Sequence, residues 1–321
     1  MHVLHFAADR MPPSIVADLA AAPGGGLLWI DLMRSEAANW FETLRPILQV
    51  DVDVRHQSDS LNPEHASFFD GTGDYDMLIF EGLGPTESLT KLETRTAALF
   101  LFENAVVSVR DAENVSFRAA IAKLLEGRAR IRTTPLALAY VVLDTMIDRY
   151  LDLRDRLDRE MTELQDALLD PANPMNDWLF LLQGRRVARR LETLSGGQGE
   201  AIDCWRRSSR FQWTDTDEVR ARDLEEHIRR VSNHASNLEH DIESAVQLHF
   251  ASVAHRTNRV IQILTVVSVI FFPMTLITGI YGMNFDDMPG QHSPYGFLAT
   301  LAALPLIAGV LLLLFRRRGW F

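Results

Sequence analysis

Two apolar stretches near the end of the chain, residues 260–280 and 295–315, constrain this fold more than any other feature. An apolar helix of about 20 residues crosses roughly 30 Å of hydrocarbon, and each stretch is long enough to do so. Arg256 and Arg259 precede the first stretch, and Arg316, Arg317 and Arg318 follow the second. The intervening segment 282–296 has no lysine or arginine. Basic residues concentrate on the cytoplasmic side of spanning helices. The chain is therefore expected to be multi-pass, with its N- and C-termini in the cytoplasm.

Composition narrows what the rest can be. A chain of 321 residues leaves room for a substantial soluble body ahead of the apolar stretches. The formal net charge of -11 argues against a nucleic-acid partner and suits a body that concentrates cations. Cys204 is the single cysteine, which excludes an internal disulfide and any multi-cysteine zinc site. The opening Met1-His2-Val3 is not part of a basic segment followed by a long apolar run, so no cleavable signal peptide is expected. His227, His234, His240, His249 and His255 fall in a charged helical pattern without an HExxH arrangement. With no nucleophile motif and no glycine-rich phosphate loop, neither an enzyme nor a nucleotide-driven pump is indicated.

The body reads first as mixed α/β and then as helical. Residues 27–32 form a strand candidate after Gly24-Gly25-Gly26, and 38–48 and 116–127 suit helices. Residues 75–83 and 97–109 hold β-favouring runs separated by the polar segment 84–95. A long helical pattern over 135–169 is stopped by Asp170-Pro171-Ala172-Asn173-Pro174. A second helix is predicted over 177–194, ending at Ser195-Gly196-Gly197, so that the two could form an antiparallel hairpin. Leu224, Ile228, Val231, Ala235, Leu238, Ile242 and Ala245 then recur at alternating spacings in a heptad-like stripe. No proline lies between Thr214 and Phe272, so one helix can run from near Asp217 into the first apolar stretch. Such a helix needs packing partners or self-association.

The first apolar stretch carries Asn258, Gln262, Thr265 and Ser268 broadly on one side, with Thr275 near them. A polar stripe on a spanning helix faces protein or water rather than lipid. Periodicity leaves two readings open. These groups could replace water oxygens around an ion in a path shared by several copies, or they could hold helices together. Beyond them, Asn284, Asp286 and Asp287 sit at the expected outer mouth, where repeated acids would form a collar that raises the local cation concentration.

At Tyr281-Gly282-Met283-Asn284-Phe285 the chain resembles the CorA family of divalent-cation transport proteins, whose first membrane helix ends in Gly-Met-Asn. Thr257-Asn258, Leu264-Thr265, Phe272-Pro273-Met274-Thr275-Leu276, Met288-Pro289 and the basic ending Arg316-Arg317-Arg318-Gly319-Trp320-Phe321 extend the resemblance. It implies a homopentameric funnel, with an α/β cytoplasmic domain, a long stalk helix and two transmembrane helices per chain. It also implies a selectivity filter at Gly282, Met283 and Asn284, where Asn284 contacts the ion's water shell. Asn258, Thr265 and Thr275 would be polar pore positions, and Ile261, Leu264 and Phe272 apolar constrictions, with Phe272 bulkier than the methionine expected at one such place. A regulatory cation site between neighbouring cytoplasmic domains would use Asp223, with Glu64, Asp74 and Asp76 as candidate partners. One departure concerns the ion. The family's usual glutamate after Met-Pro is replaced by Gly290, as in the zinc-transporting, ZntB-like branch, while the intact Gly-Met-Asn points to Mg²⁺, Co²⁺ or Ni²⁺.

The expectation is a homopentamer that moves Mg²⁺, Co²⁺ or Ni²⁺ across a bacterial inner membrane, with no catalytic activity and no resident cofactor. Its partners would be other copies of itself, the lipid bilayer and divalent metal ions. A proton-coupled Zn²⁺ transporter and a non-conducting, membrane-anchored cation sensor are the alternatives. The expected layout is an α/β domain over 1–130, a helical hairpin region over 131–216 and a stalk helix over 217–257. A pore-lining transmembrane helix over 258–281, an external loop over 282–295, a second transmembrane helix over 296–315 and a basic tail over 316–321 complete it.

Overall fold

The computed structural model describes residues 1–7, 10–17, 19, 25–128, 132–169, 179–284, 288–290 and 293–320. The chain divides into two units, Met1–Val246 and Gln247–Phe321.

The first unit is built on seven strands: β1 (His2–Ala7), β2 (Arg10–Ile15), β3 (Leu27–Met33), β4 (Phe68–Gly71), β5 (Asp76–Glu87), β6 (Leu92–Leu101) and β7 (Ala105–Arg110). They form one sheet in the order β2-β1-β3-β7-β6-β5-β4. Only β3 and β7 run parallel, with Trp29 opposite Val106; the other neighbours are antiparallel. Successive side chains on a strand point to opposite faces, and β5 shows what that alternation does here. Leu78 and Phe80 enter one apolar cluster, while Met77 and Ile79 enter the other. Covered on both faces, the central strands read as nearly continuous apolar runs, which is why they were legible in the sequence.

Helices α1 (Trp40–Leu48) and α2 (Val54–Leu61) accompany the cluster containing Met77. Helices α3 (Val115–Leu125), α4 (Pro135–Leu169), α5 (Leu179–Ser208) and the start of α6 (Asp215–Tyr281) cover the face containing Leu78. Beyond the sheet, α4, α5 and α6 share a third cluster that includes Leu153, Leu157, Leu191, Val231, Leu238 and Ile242. Every residue of the sequence stripe from Leu224 to Ala245 is buried. Each leucine or isoleucine buried there contributes on the order of 1.5–3 kcal/mol, and this packing holds the helix that periodicity alone could not stabilise.

Three differences from the sequence reading have local causes. The predicted helix ending at Ser195-Gly196-Gly197 continues to Ser208, because Gln198, Ala201, Ile202 and Trp205 are buried on the same side. That burial outweighs about 1 kcal/mol per glycine of lost helix propensity. The polar segment 84–95 is mostly strand rather than a separator, and β5 and β6 pair through it as far as Glu87 and Leu92. Helix α2 has almost no apolar periodicity. It is fixed instead by the Asp53 cap, which accepts from Arg55 N at 2.7 Å, and by His56, whose Nδ1 lies 2.8 Å from Tyr75 Oη and Nε2 3.1 Å from Asp70.

The second unit contains the last part of α6 and α7 (Gly296–Arg317). Both helices are long and apolar enough to cross a membrane. Gln262 Nε2 donates to Trp320 O at 3.1 Å near one end of the pair, and Tyr281 Oη donates to Pro289 O at 3.3 Å near the other. Between them Val266 and Ile270 are buried, although the rest of this part of α6 is largely exposed.

Candidate functional site

An α-helix turns about 100° per residue, so burial on α6 fixes which way its other side chains face. Val266, Ile270, Pro273 and Ile277 mark the side turned toward the unit's interior, and Gln262 joins them through its bond to the backbone after α7. Measured from Val266, the residues Asn258, Ile261, Leu264, Thr265, Ser268, Phe272 and Thr275 fall within an arc of about 120° whose centre lies about 140° away from it. Ile261, Leu264 and Phe272 are 54%, 63% and 75% exposed, so this arc is an open face of the unit. Gln262, grouped with the polar stripe in the sequence reading, does not belong to it.

The hydroxyls on this face have a defined polarity. Thr265 Oγ1 donates to Ile261 O at 2.7 Å, Ser268 Oγ to Leu264 O at 2.8 Å and Thr275 Oγ1 to Phe271 O at 2.9 Å. Each hydroxyl has one proton and two acceptor lone pairs. With the proton engaged by the helix itself, what remains outward is an acceptor. A column of acceptors alternating with apolar side chains favours cations and their water shells over anions.

Helix α6 ends at Tyr281. Gly282 N donates to Thr278 O at 2.9 Å and Met283 N to Ile280 O at 3.2 Å, which closes the last turn and leaves Asn284 exposed just beyond it. Asp286 and Asp287, the expected acidic collar, lie outside the described residues. Gly290 has φ +88, a left-handed conformation that L side chains rarely adopt. The glycine that replaces the expected glutamate thus meets a backbone requirement of this turn, whatever the ion.

A second cluster lies in the first unit. Ligand atoms of Asp144 on α4 and of Asp223 and His227 on α6 all lie within 4.8 Å of one another. His227 Nε2 is 3.7 Å from Asp223 Oδ1, and Tyr140 Oη donates to Asp223 Oδ2 at 3.2 Å. Burial pushes the Asp144 carboxyl above the usual carboxylate range, and the neighbouring Asp148 adds to the shift. Burial, reinforced by Asp144 and Asp223, also pushes the Tyr140 hydroxyl up, which keeps it a donor. His227 Nδ1 is buried without a hydrogen-bond partner. Two carboxylates and an imidazole at these separations can hold a divalent ion, whose charge would relieve the repulsion between the acids.

Sequence reasoning had reached Asp223 and missed Asp144 and His227. Of the candidate partners, Glu64 and Asp74 are exposed, whereas Asp76 is fully buried and accepts from Ser209 Oγ at 2.5 Å and Arg210 N at 3.1 Å. Asp76 anchors the end of α5 and is unavailable to a neighbouring chain.

Comparison with known proteins gives a consistent picture. The family profile described as CorA-like Mg2+ transporter protein matches residues 24–317. The Thermotoga maritima cobalt/magnesium transport protein CorA is 24% identical over 281 residues, covering 87% of this chain and 78% of that protein. The complete structure of the CorA magnesium transporter from Methanocaldococcus jannaschii superposes with a TM-score of 0.82 at 19% identity, covering 100% of this chain and 99% of that one. The ZntB cytoplasmic domain from Vibrio parahaemolyticus superposes with a TM-score of 0.62 at 14% identity, over 79% of this chain and 98% of that one.

Proposed function

Because the chain belongs to the CorA-like Mg²⁺ transporter family, a family of divalent-cation transporters, we propose that it conducts Mg²⁺, Co²⁺ or Ni²⁺ along the open face of α6. Several copies, five by family resemblance, surround an axis so that this face becomes the wall of a shared path. Both ends of the chain lie in the cytoplasm of a bacterial inner membrane. The observation that carries the reading is the arc of about 120° of acceptors and apolar groups that runs along nearly five turns of α6, away from its packed side.

In this reading Asn284 meets the ion at the outer mouth with the backbone of Gly282 and Met283. Its amide oxygen accepts from the water shell, which suits Mg²⁺ because that ion dehydrates reluctantly. Asn258, Thr265 and Thr275 offer further acceptors, and Ile261, Leu264 and Phe272 form constrictions that close the path by excluding water. Asp286 and Asp287 raise the local cation concentration outside.

Asp223 belongs to a regulatory site in which an ion bound with Asp144 and His227 favours the closed state. An ion shifts such an equilibrium only as far as it binds one state more tightly. The imidazole in the ligand set favours Co²⁺, Ni²⁺ or Zn²⁺ over Mg²⁺ as the sensed ion. Asn284→Ala in liposomes containing the reconstituted protein tests the path. Selective Mg²⁺ and Co²⁺ flux is expected to be lost while the oligomer persists. Unchanged flux of Mg²⁺, Co²⁺ and Zn²⁺ would remove Asn284 from the filter.

A further inference from the structure

The second unit separates its charges by helix end. Between Gln247 and Phe321 the only acids are Asp286 and Asp287, in the segment joining α6 to α7. The five arginines, Arg256, Arg259, Arg316, Arg317 and Arg318, all lie toward the opposite end. No Asp or Glu side chain falls among these arginines in the sequence of this unit.

That basic end is also a built structure. After α7 the backbone closes in a Schellman turn: Trp320 N donates to Phe315 O at 3.1 Å and Gly319 N to Arg316 O at 3.1 Å. Gly319 supplies the required left-handed residue with φ +71. The accompanying apolar contact is present, with the Phe315 and Trp320 rings 5.2 Å apart. The same turn is tied to α6, because Gln262 Nε2 donates to Trp320 O at 3.1 Å. Arg259 lies three residues before Gln262, on the same side of α6. The tie thus gathers Arg259 and the exposed Arg316, Arg317 and Arg318 at one end of the helix pair, with Trp320 among them.

An arginine fork matches phosphate oxygens in two-point contacts, and tryptophan prefers the boundary between headgroups and acyl chains. The apolar stretch of α6 begins, and α7 ends, at this level. We propose that the Gln262-tied turn is a binding site for the phosphodiester headgroup of an anionic phospholipid. Charge complementarity selects the headgroup, and the Trp320 ring seats against its glycerol and upper acyl region. The binding itself does not depend on the transport reading. Only its assignment to the cytoplasmic leaflet rests on the topology proposed above.

The test is native mass spectrometry of the full chain in mild detergent, titrated with phosphatidylglycerol, phosphatidylcholine or inorganic phosphate. Phosphatidylglycerol is expected to bind more tightly than phosphatidylcholine, and each Arg→Gln change among Arg316, Arg317 and Arg318 should weaken it about five-fold. Gln262→Leu keeps every charge but unties the turn. It is expected to weaken phosphatidylglycerol and leave phosphatidylcholine unchanged. Equal binding of the two lipids, or full retention of phosphatidylglycerol by Arg316→Gln/Arg317→Gln/Arg318→Gln, overturns the proposal. So does displacement of phosphatidylglycerol by an equal concentration of inorganic phosphate, which would make this a simple anion site. Should the triple variant not purify, the single changes and Gln262→Leu decide the matter. A chain that binds lipid in this way yet shows no cation flux would contradict the transport reading alone.

Discussion

At the scale of single residues, the Asp144, Asp223 and His227 cluster makes the sharpest demands. An ion there must displace any proton on Asp144, whose carboxyl is held above the usual range by burial. Cation affinity should therefore fall as pH is lowered, beginning at a higher pH than for an exposed aspartate pair. Calorimetric titration of Co²⁺ and Mg²⁺ at two pH values checks this. His227→Gln should weaken Co²⁺ more than Mg²⁺, and equal loss of both would mean that the imidazole is not a ligand. Phe272 is a second such residue, 75% exposed on the open face of α6. Phe272→Ala should raise flux when regulatory cation is present, because a dewetted constriction depends on apolar bulk. Asp223 could be matched from its place in the sequence, while Asp144 could not. It looks like one more acid on a solvated helix until folding sets α4 beside α6.

Elements were legible to the extent that their burial was periodic. The stripe from Leu224 to Ala245 announced α6, and the apolar runs announced β3, β5 and β7, because packing on the sheet leaves a period that can be read. Helix α2 left no such trace, since a cap and two polar contacts of His56 hold it. The glycines after Ser195 misled for the opposite reason: local propensity signalled a stop that tertiary burial overrode. Leu238→Ala removes a fully packed side chain from the α4, α5 and α6 cluster. It should cost about 2–5 kcal/mol, read as a lowered midpoint in thermal unfolding.

His234, also on α6, adds a pH dependence. Its Nε2 is buried without a partner, and burial holds its pKa below the usual imidazole range against the opposing pull of Asp158, 3.6 Å from Nδ1. A depressed histidine contributes stability above its unfolded value of about 6.5 and loses it as pH falls through the folded one. The melting temperature should drop between pH 8 and pH 5, and by less in His234→Gln.

For the whole molecule, the family and the two apolar helices were both readable from residues 257–321, because a membrane span must be long and apolar whatever the body does. What the sequence left undecided was the use of the polar stripe, as glue between helices or as the wall of a path. Burial on α6 removes Gln262 from that stripe, since its side chain is engaged with the turn after α7, and the wall is the use proposed for the rest. An open face of this kind on one chain calls for other copies. The purified protein in mild detergent should therefore give a native mass of five chains, and a monomer would leave the face unexplained. The most direct test of the account is cation uptake by liposomes holding the reconstituted protein, recorded for Mg²⁺, Co²⁺, Ni²⁺ and Zn²⁺ with and without a proton gradient. Uptake of Mg²⁺ or Co²⁺ that follows membrane potential and ignores the proton gradient is the predicted result. Uptake of Zn²⁺ alone, collapsing when the proton gradient is removed, or no uptake of any of the four, would contradict it.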